Sequence, residues 1–309
     1  MVLVFDVFRL VNAGRLGDQM PIRDDLSDYL LAPDPRGNTM SRAMSGVDQN
    51  GQATSVKVVE ERPLTIFLNS QEIVTAMTIG DYPEYLALGF LRNQGMLSGA
   101  HDVSSVQYDD EIQTVVVRTK SQTEYEEKLK KKTRTSGCAV GTVFGDMMDG
   151  LEGLTLPAAD VRTSWLYALA NKINRTPSLY LEAGAIHGTV LCHQGRPLVY
   201  MEDVGRHNAV DKVAGWMLAE HASASDKILY TTGRLTSEMV MKTALMGIPV
   251  LVSRSGFTAW AVEIAQDVGL TLVGRMRGQR FMCLAGCDRL IRDADVANSG
   301  DETGRDADK

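Results

Sequence analysis

Met201-Glu-Asp-Val-Gly-Arg-His-Asn-Ala-Val-Asp-Lys212 is a dense run of ionisable and amide side chains between two apolar segments. Pro197-Leu-Val-Tyr200 before it reads as a strand, and Lys212-Val-Ala-Gly-Trp-Met-Leu-Ala-Glu220 after it has the spacing of a buried helix. Glu202, Asp203, Arg206, His207, Asn208 and Asp211 are therefore expected at a strand-to-helix junction, where Gly205 lets the backbone turn. A well-capped helix start would use Asn208 as N-cap and Asp211 at its third position. Six such groups around one glycine exceed that need, so the junction is a functional candidate.

Working outward, strands and helices alternate. Lys227–Tyr230, Ile248–Val252 and Leu270–Val273 read as strands, with helices over Thr236–Met246 and Phe257–Asp267. This pattern predicts an α/β domain with parallel pairing and helices on both faces of the sheet. Ligands of such sheets bind beyond the carboxyl ends of the strands. Thr231-Thr-Gly-Arg234, Ser253-Arg-Ser-Gly256 and Gly274-Arg-Met-Arg-Gly-Gln-Arg280 fall at those ends, each with glycine and arginine. Arginine forks and backbone amides suit a phosphate-bearing ligand. On the amino-terminal side, strand-like runs at 55–60, 64–68, 103–108 and 112–118 surround a helix with Asp81 as its expected N-cap and Pro83 early in it. The expected organisation is an extension over 1–54, partly disordered, with Met40 and Met44 as alternative starts. A small α+β domain over 55–135, an α/β domain over 136–287 and a disordered acidic tail over 288–309 follow it. That tail carries seven acids against four bases.

The net charge of −7 argues against a general nucleic-acid binder. No apolar run approaches membrane-spanning length, and Met1–Phe8 lacks a secretory n-region, so a soluble cytoplasmic protein is expected. Cys138, Cys192, Cys283 and Cys287 are too few for a disulfide scaffold and form no Cys-x-x-Cys pair. Cys192 sits in a strand-like run and is expected in the core. Cys138 follows Lys128, Lys130, Lys131, Lys132 and Arg134 among glycines, where positive charge favours a thiolate. The His-x-Glu and Pro-Cys-x-x-Cys ligands of a zinc deaminase are missing.

Together these residues resemble the formate dehydrogenase accessory sulfurtransferase family, FdhD, from about Arg62 to Leu284. The similarity is densest over Glu202–Lys212, with Arg62-Pro-Leu-Thr65, Thr232-Gly-Arg234, Ser237-Glu238, Gly247-Ile-Pro249 and Leu270–Gly274 in support. The resemblance implies a cytidine-deaminase-like three-layer α/β domain without zinc. It also implies a cytoplasmic homodimer that takes sulfur from a cysteine desulfurase as a persulfide. The sulfur would pass to the molybdenum cofactor, bis-molybdopterin guanine dinucleotide, before that cofactor enters formate dehydrogenase. By position, Cys138 is the persulfide-forming cysteine. Arg275, Met276, Arg277, Gly278, Gln279 and Arg280 correspond to the segment binding the guanine dinucleotide portion. Asp203, Arg206, His207 and Arg234 are candidates for orienting groups or proton carriers.

One departure stands out. Many members carry Cys-x-x-Cys where this chain reads Cys138-Ala-Val-Gly141. Either a single cysteine suffices, with sulfur leaving by direct transfer, or the chain is a non-catalytic carrier that binds and protects the cofactor.

Overall fold

The computed structural model describes residues 3–5, 29–33, 40–97, 99–120 and 144–294. In the amino-terminal half, β1 (Leu3–Phe5), β2 (Ser41–Val47), β3 (Ala53–Val59), β4 (Arg62–Leu68) and β5 (Gln71–Thr78) precede helix α1 (Pro83–Asn93). Strands β6 (Val103–Asp109) and β7 (Thr114–Thr119) follow. A five-stranded sheet runs β1-β6-β7-β4-β5, with β4 parallel to β7 and the remaining pairs antiparallel. Alternate residues Leu64, Ile66 and Leu68 turn inward with Val106, Val115 and Val117. Leu86, Ala87, Phe90 and Leu91 of α1 cover that face. Regular structure begins before residue 55, because β2 and β3 form a separate antiparallel hairpin.

The second half contains α2 (Phe144–Asp149), β8 (Val161–Arg162), α3 (Thr163–Ile173), α4 (Leu179–Ala183), β9 (His187–His193) and β10 (Arg196–Asp203). It continues through α5 (Arg206–Ala219), β11 (Lys227–Thr231), α6 (Ser237–Leu245), β12 (Val250–Ser253) and α7 (Ala259–Asp267). It ends with β13 (Thr271–Arg277), β14 (Arg280–Ala285) and β15 (Leu290–Ile291). The main sheet has the order β10-β9-β11-β12-β13-β14. Only β11, β12 and β13 are parallel, narrower than the alternating pattern predicts. Gln194-Gly195 and Gly278-Gln279 leave two residues for each outer connection, which permits only antiparallel hairpins.

Three layers result. Leu191, Met201, Leu229, Leu251 and Leu272 point from one face of the sheet toward Val210 and Val213 of α5, Val240 of α6 and Ile264 of α7. From the other face Val190, Cys192, Tyr200, Tyr230 and Val252 meet Leu166, Leu169 and Ile173 of α3. The fold is thus the three-layer, cytidine-deaminase-like α/β domain that the resemblance implies, preceded by a small α+β domain. Cys192 is fully buried there. The acidic tail is ordered farther than its composition suggests. Asp293 accepts hydrogen bonds from Ser164 N (3.0 Å), Ser164 Oγ (2.8 Å) and Thr163 Oγ1 (3.2 Å) at the start of α3. Those donors hold its carboxyl down at about 2.

Helices α1 and α5 weld the two halves together. A Cβ at Gly89 would lie 1.7 Å from the Asp211 carbonyl oxygen, and one at Gly215 would lie 1.9 Å from that of Tyr85. Both glycines are therefore fixed by backbone approach. Gly215→Ala must push the helices apart at a cost of about 3 kcal/mol. Thermal unfolding should show Tm lower by roughly 5–10 °C; an unchanged Tm would contradict this packing.

Candidate functional site

The polar run divides into braces and free groups. Glu202 is buried and accepts from Leu179 N (2.9 Å) and Tyr180 N (2.8 Å), capping α4. Burial nonetheless pushes its carboxyl up to about 7, against the pull of those two amides. Asp203 is fully buried and saturated. It accepts from Thr78 Oγ1, Gly205 N (3.1 Å), Asn208 Nδ2 (3.0 Å) and Lys212 Nζ (2.6 Å). Lys212, also fully buried, pairs with Asp81 and donates to the Glu202 carbonyl at 2.9 Å. Asp211 accepts from Lys242 Nζ (2.6 Å) and Asn93 Nδ2 (2.7 Å). Asn208 Nδ2 also donates to the Met77 carbonyl at 2.8 Å.

Two expectations change here. Helix α5 begins at Arg206 with Gly205 as N-cap, because Asp203 draws the Asn208 amide backward. Tyr82 rather than Asp81 is the N-cap of α1, since Asp81 is taken by Lys212. Met77, Thr78, Asp81 and Asn93 all belong to the small domain. Most of the run therefore clamps the two domains together, and only Arg206 and His207 remain turned to other work.

Those two line a cavity of about 370 Å³ between β5 and α5, with His187, Lys242, Met77 and Phe90 also on its wall. β9 runs antiparallel to β11, so His187 at its start lies at the edge where β11 ends. Arg206 packs under Gly233 just beyond β11, and its Nε is buried with no protein partner. Arg234 is exposed in the same loop. His187 is held below its ordinary value by burial and by the charges of Arg206 and Arg234. His207 is depressed further, to about 2, by burial and then by Lys242, Arg206 and His187. Its Nε2 lies 3.1 Å from Glu238 Oε2, off the line of a well-formed hydrogen bond, and Nδ1 has no protein partner. His187 and His207 are therefore neutral there; Lys242 is paired with Asp211 and Glu61 adds a carboxylate to the wall, so it is Arg206, with its unpartnered Nε, that can meet an anion.

A pH effect follows from His207. Its folded value lies below its ordinary value of 6.5. The unfolded chain then binds the extra proton, and stability present above about pH 6.5 is lost as pH falls. The loss is up to about 1.4 kcal/mol per unit. His207→Gln should flatten the acid limb of urea unfolding midpoints against pH; parallel limbs would contradict the assignment.

The arginine segment lies elsewhere. β13 continues through Arg277, so residues 275–280 form a β-hairpin rather than a loop after the strand. Met276 is fully buried in the core against α3 and presents no side chain to a ligand. Arg275, Arg277 and Arg280 are exposed. Gly278 and Gln279 border a second recess of about 400 Å³ with Tyr167, Asn171, Asn174 and Arg175. Asn174 Oδ1 is buried there without a protein partner. None of residues 275–280 lines the His207 cavity.

Cys138 and its basic run lie outside the described residues. Among the described cysteines, Cys192 is buried, Cys283 half-buried and Cys287 exposed. Burial and the neighbouring Cys287 push the Cys283 thiol up to about 12. Neither cysteine borders either recess. Among the described residues no three His, Cys, Asp or Glu side chains cluster as metal ligands. Nor is any helix among them long and apolar enough to cross a membrane.

Sequence reasoning missed His187 and Lys242 as cavity groups and Glu238 as the neighbour of His207. Glu238 and Lys242 are four apart on α6, which puts both on one face of an otherwise apolar helix. That spacing was the available signal.

Comparison with known proteins agrees with this arrangement. The chain is 33% identical over 252 residues to the sulfur carrier protein FdhD of Saccharolobus solfataricus, covering 79% of this chain and 94% of that one. It is 29% identical over 243 residues to the Listeria monocytogenes protein of the same name, covering 77% and 93%. The crystal structure of a protein described as a formate dehydrogenase accessory protein, from Desulfotalea psychrophila, superimposes with a TM-score of 0.68 at 27% identity. It covers 82% of this chain and all of that one. The clamp of Glu202–Lys212, its cavity and the α/β domain fall within residues 59–291, the span matched by the FdhD/NarQ family model, and the chain belongs to that family.

Proposed function

We propose that this protein is a cytoplasmic sulfur carrier required for formate dehydrogenase activity. Cys138 thiolate attacks the terminal sulfur of a cysteine desulfurase persulfide, expelling the donor thiolate, and becomes Cys138-S-SH. The sulfur then passes to bis-molybdopterin guanine dinucleotide, the substrate, before its insertion into formate dehydrogenase. The observation that carries this reading is the cavity bordered by Arg206. Within a run otherwise spent on bracing, Arg206 and His207 are left facing it, beside His187. Family membership and the sulfur-carrier names of the relatives support the same reading.

Arg275, Arg277, Gly278, Gln279 and Arg280 are assigned to the guanine dinucleotide portion. The recess beside Gly278 and Gln279, with its unpartnered Asn174 oxygen, supports that assignment. A homodimer is the expected assembly. The second reading, a non-catalytic carrier of the cofactor, is favoured by Gly141 in place of a second cysteine.

Mass spectrometry of the full chain after incubation with a cysteine desulfurase and cysteine tests the first step. One added sulfur on the peptide holding Cys138 is expected. Sulfur found only on Cys192, Cys283 or Cys287 would overturn the assignment.

A further inference from the structure

The His207 cavity has a composition that a plain phosphate site does not need. Arg206 supplies positive charge, but the opposite wall is Val74, Met77 and Phe90. A strongly hydrated oxyanion gains little against such a wall, whereas a polarisable, weakly hydrated anion keeps its dispersion contacts there. His207 is 8% exposed, lines the cavity, and leaves Nδ1 unpartnered. A buried, unsatisfied ring nitrogen at a cavity wall is a group waiting for a ligand.

We infer that this cavity binds a small sulfur anion together with one proton, the proton residing on His207. The inference rests on the sulfur-carrier reading and adds to it where the sulfur is received. Lys242 is already paired with Asp211, so Arg206, with its unpartnered Nε, is the cation that a bound anion offsets. With that charge met 1:1, the lone pair of Nδ1 takes a proton from solvent or from the S–H of an incoming persulfide. One S–H or O–H bond breaks, one N–H bond forms, and no electrons are transferred. The imidazolium then has Glu238 at 3.1 Å from Nε2 as its counter-charge. The other charged or titratable groups facing His207 are Arg206 and Asp211 on α5, Lys242 on α6, His187 on β9 and Glu61 before β4.

Isothermal titration of the full-length protein with thiocyanate, a weakly hydrated sulfur anion, and separately with inorganic phosphate, tests this between about pH 6 and 8. Thiocyanate stays fully ionised over that range, so its own titration does not intrude. Binding is expected to tighten about fivefold per unit fall in pH, with a matching uptake of about 0.7 proton per anion in buffers of different ionisation heat. His207→Gln should abolish the pH slope while His187→Gln keeps it. Should His207→Gln fail to fold, the proton count on the wild-type chain decides alone. Three results would overturn the inference: no thiocyanate binding, tighter binding of phosphate, or a pH slope that survives His207→Gln. None of them touches the loading of Cys138, so the sulfur-carrier reading stands or falls separately.

Discussion

Formate dehydrogenase matured with the Cys138→Ala variant is expected to retain less than about one hundredth of its wild-type activity. The expectation follows from what the other thiols can do. Persulfide formation requires a thiolate that reaches the donor sulfur. Cys192 is fully buried among aliphatic side chains, which drives its thiol well above the ordinary range. Cys283, pushed up to about 12, is ionised at neutral pH in roughly one molecule in 10⁵. Cys287 is exposed, but its neighbour Ala285 pairs with Leu272, at the edge of the sheet opposite the carboxyl ends of β11 and β12. No described cysteine is placed to substitute. The check is formate dehydrogenase activity in cells whose only copy carries Cys138→Ala, with the variant's abundance measured alongside. Full activity at normal abundance would leave only the non-catalytic reading.

Lys212→Met should be the most damaging change outside the chemistry, costing about 3–5 kcal/mol. Lys212 is buried between Asp203, which is equally buried, and Asp81, whose side chain is 20% exposed. Removing the ammonium leaves two carboxylates facing each other across the domain junction with nothing to neutralise them. The pH dependence provides a signature. Protonation of Asp81, whose carboxyl burial already raises, relieves the repulsion, so the variant should lose less relative to wild type as pH falls toward the carboxylate range. Lys212→Met with Asp203→Asn should recover part of the loss at neutral pH. Chemical unfolding at two pH values measures both effects. Equal stability of Lys212→Met and wild type at neutral pH would show that the clamp is not made this way.

The clamp also shows why some of the site was legible in the sequence and some was not. The polar run announced itself through the mismatch between six ionisable or amide groups and the needs of one helix start. Its division into braces and free groups did not, because the partners come from far away in sequence. Thr78 and Asp203 are 125 residues apart, Asn93 and Asp211 are 118, and Asp81 and Lys212 are 131. Local rules read Asp81 as a helix cap and Asn208 likewise, since a capping side chain looks the same in a single chain as an interdomain acceptor, which Asp81 is, or an interdomain donor, which Asn208 is. The α/β class was legible because β11, β12 and β13 are short apolar runs separated by helices. The antiparallel flanks were hidden in two-residue turns, Gln194-Gly195 and Gly278-Gln279. Met276 looked like part of an arginine loop because nothing local marks that β13 continues inward at that residue.

The most direct test of the central claim follows sulfur rather than activity. The protein is loaded on Cys138 with radiolabelled sulfur from a desulfurase, freed of donor, and mixed with bis-molybdopterin guanine dinucleotide in a single turnover. Label is predicted to leave the Cys138 peptide and appear on the cofactor, and to stay behind when the cofactor is omitted. Cofactor that binds while all of the label remains on Cys138 would contradict sulfur transfer and make the protein a cofactor carrier only.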